Sequence, residues 1–290
     1  MDMTYACFGP AGNPKRFYDE GYKKTIQIMK WLSDMGLNAY EYSAGNGITG
    51  GEETFQKIGE EAAKYGIRTS FHTPYYISLT NISPEAQEKN ISYITKSIRC
   101  AELLRADIIV IHTGSVMKLA REDALRQNRI SIENILSATV GTKVKIGLET
   151  MGKINQLGTL EEVIDLCSID KRLYPVVDFG HLNARNLGNY FVTKEDFYRV
   201  FETIGDKLGD EKAQSLHCHF SKIEYTAAGE KKHLTFEDTT FGPRFEPLME
   251  TIVEHALTPR IICESNGTMA DDALTMKKYY DQLCSNYKSL

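Results

Sequence analysis

The chain has no cysteine pair at C-x-x-C spacing, no apolar run near the roughly 18 residues of a membrane-spanning helix, and no proline-rich, serine-rich or low-complexity stretch. Each absence removes a class. The six cysteines, Cys7, Cys100, Cys167, Cys218, Cys263 and Cys284, are scattered, and four lie in or beside apolar runs. They read as buried free thiols of a reducing compartment. With no linker and no strong internal repeat, residues 1–290 are expected to form a single domain. An excess of positive charge is also missing: the formal net charge is -5. The balance does not announce a nucleic-acid binder and does not exclude one. An anionic substrate would have to be drawn in by bound metal ions or a local basic patch. The opening MDMTYACFGP is too short and too polar for a signal peptide, so the expectation is a cytoplasmic protein without a membrane partner.

What is present is a rhythm. Eight short apolar runs, TYACF, NAYEY, IRTSFH, DIIVIH, VKIGLE, YPVVDF, SLHCHF and RIICES, alternate with longer stretches whose apolar residues recur at helical spacing. Those stretches include Phe17 to Met35, Glu52 to Tyr65, Pro84 to Arg105 and Ala120 to Thr139. Ser83-Pro84-Glu85 offers an N-cap, a first-turn proline and an acidic first turn, and Gly36, Gly66 and Gly141 follow three helix ends. Strand and helix alternating eight times predict an α/β fold, a (β/α)8 TIM barrel. The longest segment outside the rhythm, Lys222 to Pro247, lies between the seventh strand and the seventh helix, at the face where such barrels carry their sites.

The strands end on an unusual set of residues: His72, His112, Glu149, Asp178, His217 and Glu264. In a parallel barrel the strand ends converge on one point. One histidine there is an ordinary polar residue, but carboxylates brought together without a cation repel one another. Imidazole and carboxylate are the ligands of zinc or manganese, so a metal-dependent hydrolase or isomerase is expected. His219 shares a strand face with His217, and either lies deeper in the mouth or joins the site. His255, inside a helical pattern, is expected at the surface.

The motifs FHTPYYISL (71–79), VIHTGS (110–115), GLET (147–150), VVDFGH (176–181), LHCHFSK (216–222), KKH (231–233) and ICES (262–265) together resemble the endonuclease IV family in order and spacing. The resemblance covers roughly residues 60–290. It implies a barrel that holds up to three zinc ions and hydrolyses DNA 5′ to abasic sites in base excision repair, with water ionised near neutral pH between the metals. Carried over motif by motif, His72, His112 and Glu149 would hold one zinc, and Glu149, Asp178, His217 and Glu264 a second, with Glu149 bridging. The catalytic set would be Glu149, Glu264 and His217. Tyr75, Tyr76, Lys222 and Lys231 would face the DNA, Tyr76 standing where the family has a wedging leucine.

Two places depart from the family. Its third ion is held by His181, an Asp and His233, but the family Asp-x-His reads Lys231-Lys232-His233 here. Either Glu230, Glu237 or Asp238 reaches in, or the third ion is weak or absent, or the Lys231 ammonium replaces it. The second strand-loop unit, EYSAGNGITGG, lacks the basic residues the family presses against DNA. The rival reading is a sugar isomerase or epimerase of the same superfamily, with one Mn2+ on Glu149, Asp178, His217 and Glu264. Such an enzyme has no need of His72, His112 and His181 as further ligands. A third reading is a catalytically idle barrel that binds damaged DNA.

Overall fold

The structure is a computed structural model and describes residues 5–287. In chain order its strands are β1 (Cys7–Pro10), β2 (Ala39–Ser43), β3 (Arg68–His72), β4 (Ile108–His112), β5 (Lys145–Glu149), β6 (Leu173–Asp178), β7 (His217–Phe220), β8 (Ile223–Thr226), β9 (Gly229–His233) and β10 (Arg260–Cys263). Eight of them form one sheet in the order β1-β10-β7-β6-β5-β4-β3-β2, and each apolar run of the sequence supplies one. Every ladder in that sheet is parallel. The two ends meet through a parallel bridge between Ala11 and Glu41, with Gly12 N donating to Glu41 O at 2.8 Å. Only glycine fits at this seam, because a Cβ on Gly9 would lie 1.7 Å from Ala39 O.

Side chains alternate across each strand. One phase, including Tyr40 and Tyr42, Ile109 and Ile111, Ile146 and Leu148, and Cys218 and Phe220, packs with the helices in the main core. The other phase points into the barrel. Small apolar layers, Cys7 with Ala39 and Ile262, and Ile108 with Val110 and Val176, fill its lower part. Above them the inner phase turns polar, and that change of chemistry along the strands builds the site.

Three of the four helical expectations hold within a residue or two: Glu52–Lys64, Pro84–Leu103 and Arg121–Ala138. Ser83 caps the second of these, accepting from Ala86 N, which is worth about 1 kcal/mol for such a cap. The stretch from Phe17 to Met35 instead breaks into Lys15–Asp19, a 3-10 turn at Thr25–Gln27 and Ile28–Asp34. Gly21, at φ 92, ends the first piece with a conformation no helix interior accepts. Five of the cysteines are buried and all six are unpaired. Among the described residues, no helix is long and apolar enough to cross a membrane.

Between β7 and the helix Glu246–Glu254 the chain makes an antiparallel hairpin, β8 with β9. It docks on the loop after β5, where Glu230 N donates to Gly152 O and Ile154 N to Ala228 O, both at 3.0 Å. Hence the long segment that sequence left outside the rhythm is an arm laid across the barrel mouth.

Candidate metal centre

Six of the chain's seven histidines gather at this mouth, with five carboxylates, in four groups whose donor atoms lie within 4.8 Å of one another. The groups are His72, His112 and Glu149; Glu149, Asp178, His219 and Glu264; His181, Glu230 and His233; and Glu41, His217 and His219. Glu149, fully buried at the end of β5, belongs to two of them. Its Oε2 lies 3.3 Å from His72 Nε2 and 3.2 Å from His112 Nε2, and its Oε1 lies 3.0 Å from His219 Nδ1. Ligands on a tetrahedral zinc with bonds of about 2.0–2.1 Å stand about 3.3 Å apart. These donors are already at that spacing.

The rings are aimed by their second nitrogens. His72 Nδ1 donates to Thr73 O and His181 Nδ1 to Thr150 O, each at 2.9 Å. A carbonyl only accepts, so in the neutral ring Nδ1 carries the proton and Nε2 presents a bare lone pair to the cluster. Asp178 divides its labour in the same way. It is the N-cap of helix Phe179–Arg185, with Oδ1 accepting from His181 N at 2.7 Å, while the buried Oδ2 has no hydrogen-bond partner. One carboxylate thus starts the helix, sets His181 at its third position and leaves an oxygen over. A buried carboxylate oxygen that makes no hydrogen bond and lies 3.4 Å from His181 Nδ1 fits a cation.

The electrostatics agree. Burial pushes the Glu149 carboxyl up, but His219 and His112 beside it hold it well below the usual carboxylate range. Glu264 moves the other way, raised by burial and by its neighbours Glu149 and Asp178 against the pull of His219 and His233. Positive charge at the centre would relieve that crowding. Beside it opens a cleft of about 530 Å3 whose walls include Ser43, Tyr75, His233, Glu264 and Asn266.

Residues 29–280 match the family described as xylose isomerase-like TIM barrel. The chain belongs to that family. An uncharacterized protein of Methanocaldococcus jannaschii is 30% identical over 94% of this chain and 96% of its own length. A probable endonuclease 4 of Mycoplasma genitalium is 30% identical over 75% of this chain and 74% of its own. Among solved structures, endonuclease IV from Thermus thermophilus aligns with TM-score 0.69 at 17% identity, over 95% of this chain and 98% of that one. A D-tagatose 3-epimerase-like protein aligns equally, with TM-score 0.69 at 19% identity over 98% and 100%. At those identities the structural likenesses establish the shared barrel alone.

Within this family barrel, His72, His112, Glu149, Asp178 and Glu264 meet where barrel strands end, while His181, from the helix after β6, and His233, from the hairpin, meet in an adjoining group. Other expectations need correcting. His217 is not in the group with Glu149, Asp178 and Glu264; His219 takes that place. The ladder between β6 and β7 pairs Asp178 with His219 and Val176 with His217. His217 therefore sits one inward-facing layer lower, where its Nε2 meets Glu41 Oε2 at 2.9 Å. Burial, only partly offset by Glu41, brings its pKa down to about 4.

The third group takes Glu230, and neither Glu237 nor Asp238 belongs to it. Glu230 Oε2 lies 3.5 Å from His181 Nε2, and its Oε1 3.8 Å from His233 Nε2. A regular strand would point residues 230 and 233 to opposite sides. The β8–β9 register skips from Glu224↔Lys232 to Tyr225↔Glu230, leaving Lys231 as the unpaired residue of a bulge. The extra residue flips the phase. Lys231 is thus no stand-in for an ion: its ammonium lies 2.5 Å from Glu224 Oε1, on a side chain 55% exposed. Lys222 is not poised for phosphate either, since Nζ donates to Phe236 O and Asp238 O and ties down its own loop.

Tyr75 and Tyr76 stand at the rim, half exposed. Tyr75 stacks on His112 with centroids 5.2 Å apart, and Tyr76 packs edge-on against Tyr93. Burial, reinforced by Glu264, pushes the Tyr75 phenol up to about 12. His255 is exposed and stacks on Tyr198, away from the site. Glu41 is the residue that sequence reasoning missed. Its signal was there: one acid between two tyrosines in AYEYS, on the inward phase of an otherwise apolar strand.

Proposed function

We propose that the protein is a metal-dependent phosphodiester hydrolase that cuts DNA 5′ to abasic sites. It holds two to three divalent ions, zinc in preference to manganese. One observation carries this reading: Glu149 faces two donor groups at once, and a third, His181 with Glu230 and His233, adjoins them. A one-ion isomerase has no use for such a set. The relationship to a probable endonuclease 4 supports the same chemistry. When bound, the ions supply positive charge that attracts and polarises a phosphate and makes water acidic enough to attack near neutral pH.

The chain's own residues prepare the site. Glu149 spans the first two groups, and backbone carbonyls fix the His72 and His181 rings so that each turns one nitrogen inward. Asp178 keeps one oxygen free because the helix it caps needs only the other. Tyr75 and Tyr76 offer flat, half-exposed rings at the rim, suited to a base unstacked beside the lesion.

A second reading has its own observation. Glu149, Asp178, His219 and Glu264 alone make a complete single-ion set, as a sugar isomerase or epimerase would use. Elemental analysis of protein purified without added metal separates the two readings. At least two ions per chain, with zinc dominant, is the expected result. A value near one, with manganese preferred and turnover of a ketose, would replace the nuclease by the isomerase.

A further inference from the structure

We propose that Glu41, braced by Ser70 and His217, is a positioning residue that fixes the His219 ring so that its Nδ1 faces the Glu149, Asp178 and Glu264 group. Glu41 lies in the middle of β2, points into the barrel and is wholly buried. Its Oε2 is fully engaged, accepting from Ser70 Oγ at 2.8 Å and from His217 Nε2 at 2.9 Å. Its Oε1 has one close neighbour, His219 Nε2, at 2.9 Å, near but out of hydrogen-bond alignment. The opposite nitrogen of that ring, Nδ1, lies 3.0 Å from Glu149 Oε1 and 3.5 Å from Glu264 Oε1.

His72 and His181 follow the same plan with carbonyl oxygens behind them. Behind His219 the partner is a carboxylate instead. Nδ1 contacts Glu149 Oε1 directly, so with an ion bound at Nδ1 the ring's proton would stand on Nε2, 2.9 Å from Glu41 Oε1. A carboxylate behind a ligating imidazole also raises its basicity more than a carbonyl does, and loss of such a partner weakens metal binding about 10- to 100-fold. His217 and Ser70 belong to this arrangement as the groups that hold Glu41 in place. That accounts for a second histidine on β7 too deep to reach the centre.

The inference rests on the reading of the mouth as a metal centre, but its test does not depend on DNA cleavage. Cobalt(II), whose visible absorption reports its ligands, is titrated into the metal-free chain in competition with a chelator. Wild type, Glu41→Gln and Ser70→Ala are compared, with thermal unfolding of each metal-free protein alongside. Glu41→Gln should bind the same number of ions, with one step weakened about 10- to 100-fold and its spectrum altered. The step assigned to His72, His112 and Glu149 should keep its affinity. Ser70→Ala should weaken the same step by a smaller factor.

Unchanged cobalt affinity in a folded Glu41→Gln would overturn the proposal. So would loss of a whole ion, which would make Glu41, His217 and His219 a metal site themselves. If Glu41→Gln does not fold, Ser70→Ala decides: an unaltered cobalt titration there marks the cluster as purely structural. A chain that binds cobalt as described yet leaves abasic DNA intact would defeat the nuclease reading and leave this one standing.

Discussion

Replacing Gly152 by alanine is a steric probe of the third donor group. Gly152 does not have a left-handed φ, so a methyl group there acts through space and not through backbone strain. Its Cβ would fall 2.6 Å from Glu230 Cβ, 2.8 Å from Glu230 Oε2 and 3.1 Å from His181 Cδ2. Carbon atoms in contact prefer about 3.5–4.0 Å, so the overlap with Glu230 approaches an ångström. The hairpin cannot simply slide away, because Glu230 N is bonded to Gly152 O and Ile154 N to Ala228 O. Rotating the Glu230 side chain relieves the contact with Oε2 but not that with Cβ, so the backbone at Glu230 must shift as well, and both movements take the carboxylate away from His181 and His233. Overpacking of this kind costs about 1–3 kcal/mol, which in a chain of this size lowers Tm by roughly 2–10 °C. In elemental analysis, Gly152→Ala should hold one ion fewer than wild type and keep those on Glu149. An unchanged ion count together with an unchanged Tm would refute the packing argument and the role given to Glu230.

Glu149→Gln should weaken two ions together in a chelator titration, whereas His72→Ala should weaken chiefly one, because only Glu149 belongs to both groups. His219→Gln should cost abasic-site cleavage about a hundredfold or more, on the scale of losing a key electrostatic stabiliser. Equal activity of mutant and wild type would remove His219 from the centre. Lys231→Ala should leave both ion count and cleavage unchanged, since that side chain pairs with Glu224 outside the cluster; a marked loss would restore the idea of an ammonium in place of an ion. At the barrel floor, burial raises the Asp107 carboxyl, but Arg260, Arg68 and Lys145 outweigh it and hold it well below the usual range. A depressed carboxyl stabilises the fold fully above its unfolded value of about 3.9 and loses that contribution progressively below it, as pH falls through the lower folded value. Thermal unfolding of Asp107→Asn should therefore show a deficit at neutral pH that begins to shrink below about pH 4 and narrows steadily with further acidification; a constant deficit would mean the charge is not its cause.

How far the site was legible depended on which residues were set by local chemistry. Strand ends, the Ser83 cap and the glycines behind helices are short-range signals, and of the strand-end residues His72, His112, Glu149, Asp178 and Glu264 came together. The misplacement of His217 arose between strands. Whether residue 217 or 219 is level with Asp178 depends on the stagger of β7 against β6, which no pattern within SLHCHF encodes. Glu230 was obscured by the bulge at Lys231, since one extra residue reverses the side-chain phase that strand alternation assumes. Glu41 was overlooked because a single acid in a tyrosine-rich strand looks like an exposed edge residue until the barrel closes around it.

The most direct test of the central claim is incubation of the metal-replete protein with a duplex carrying one abasic site, beside the same duplex intact. The account predicts a single cut 5′ to the abasic site, no cut in the intact duplex, and loss of activity with a chelator that returns on adding zinc. No cleavage by a protein holding its full complement of ions would contradict it.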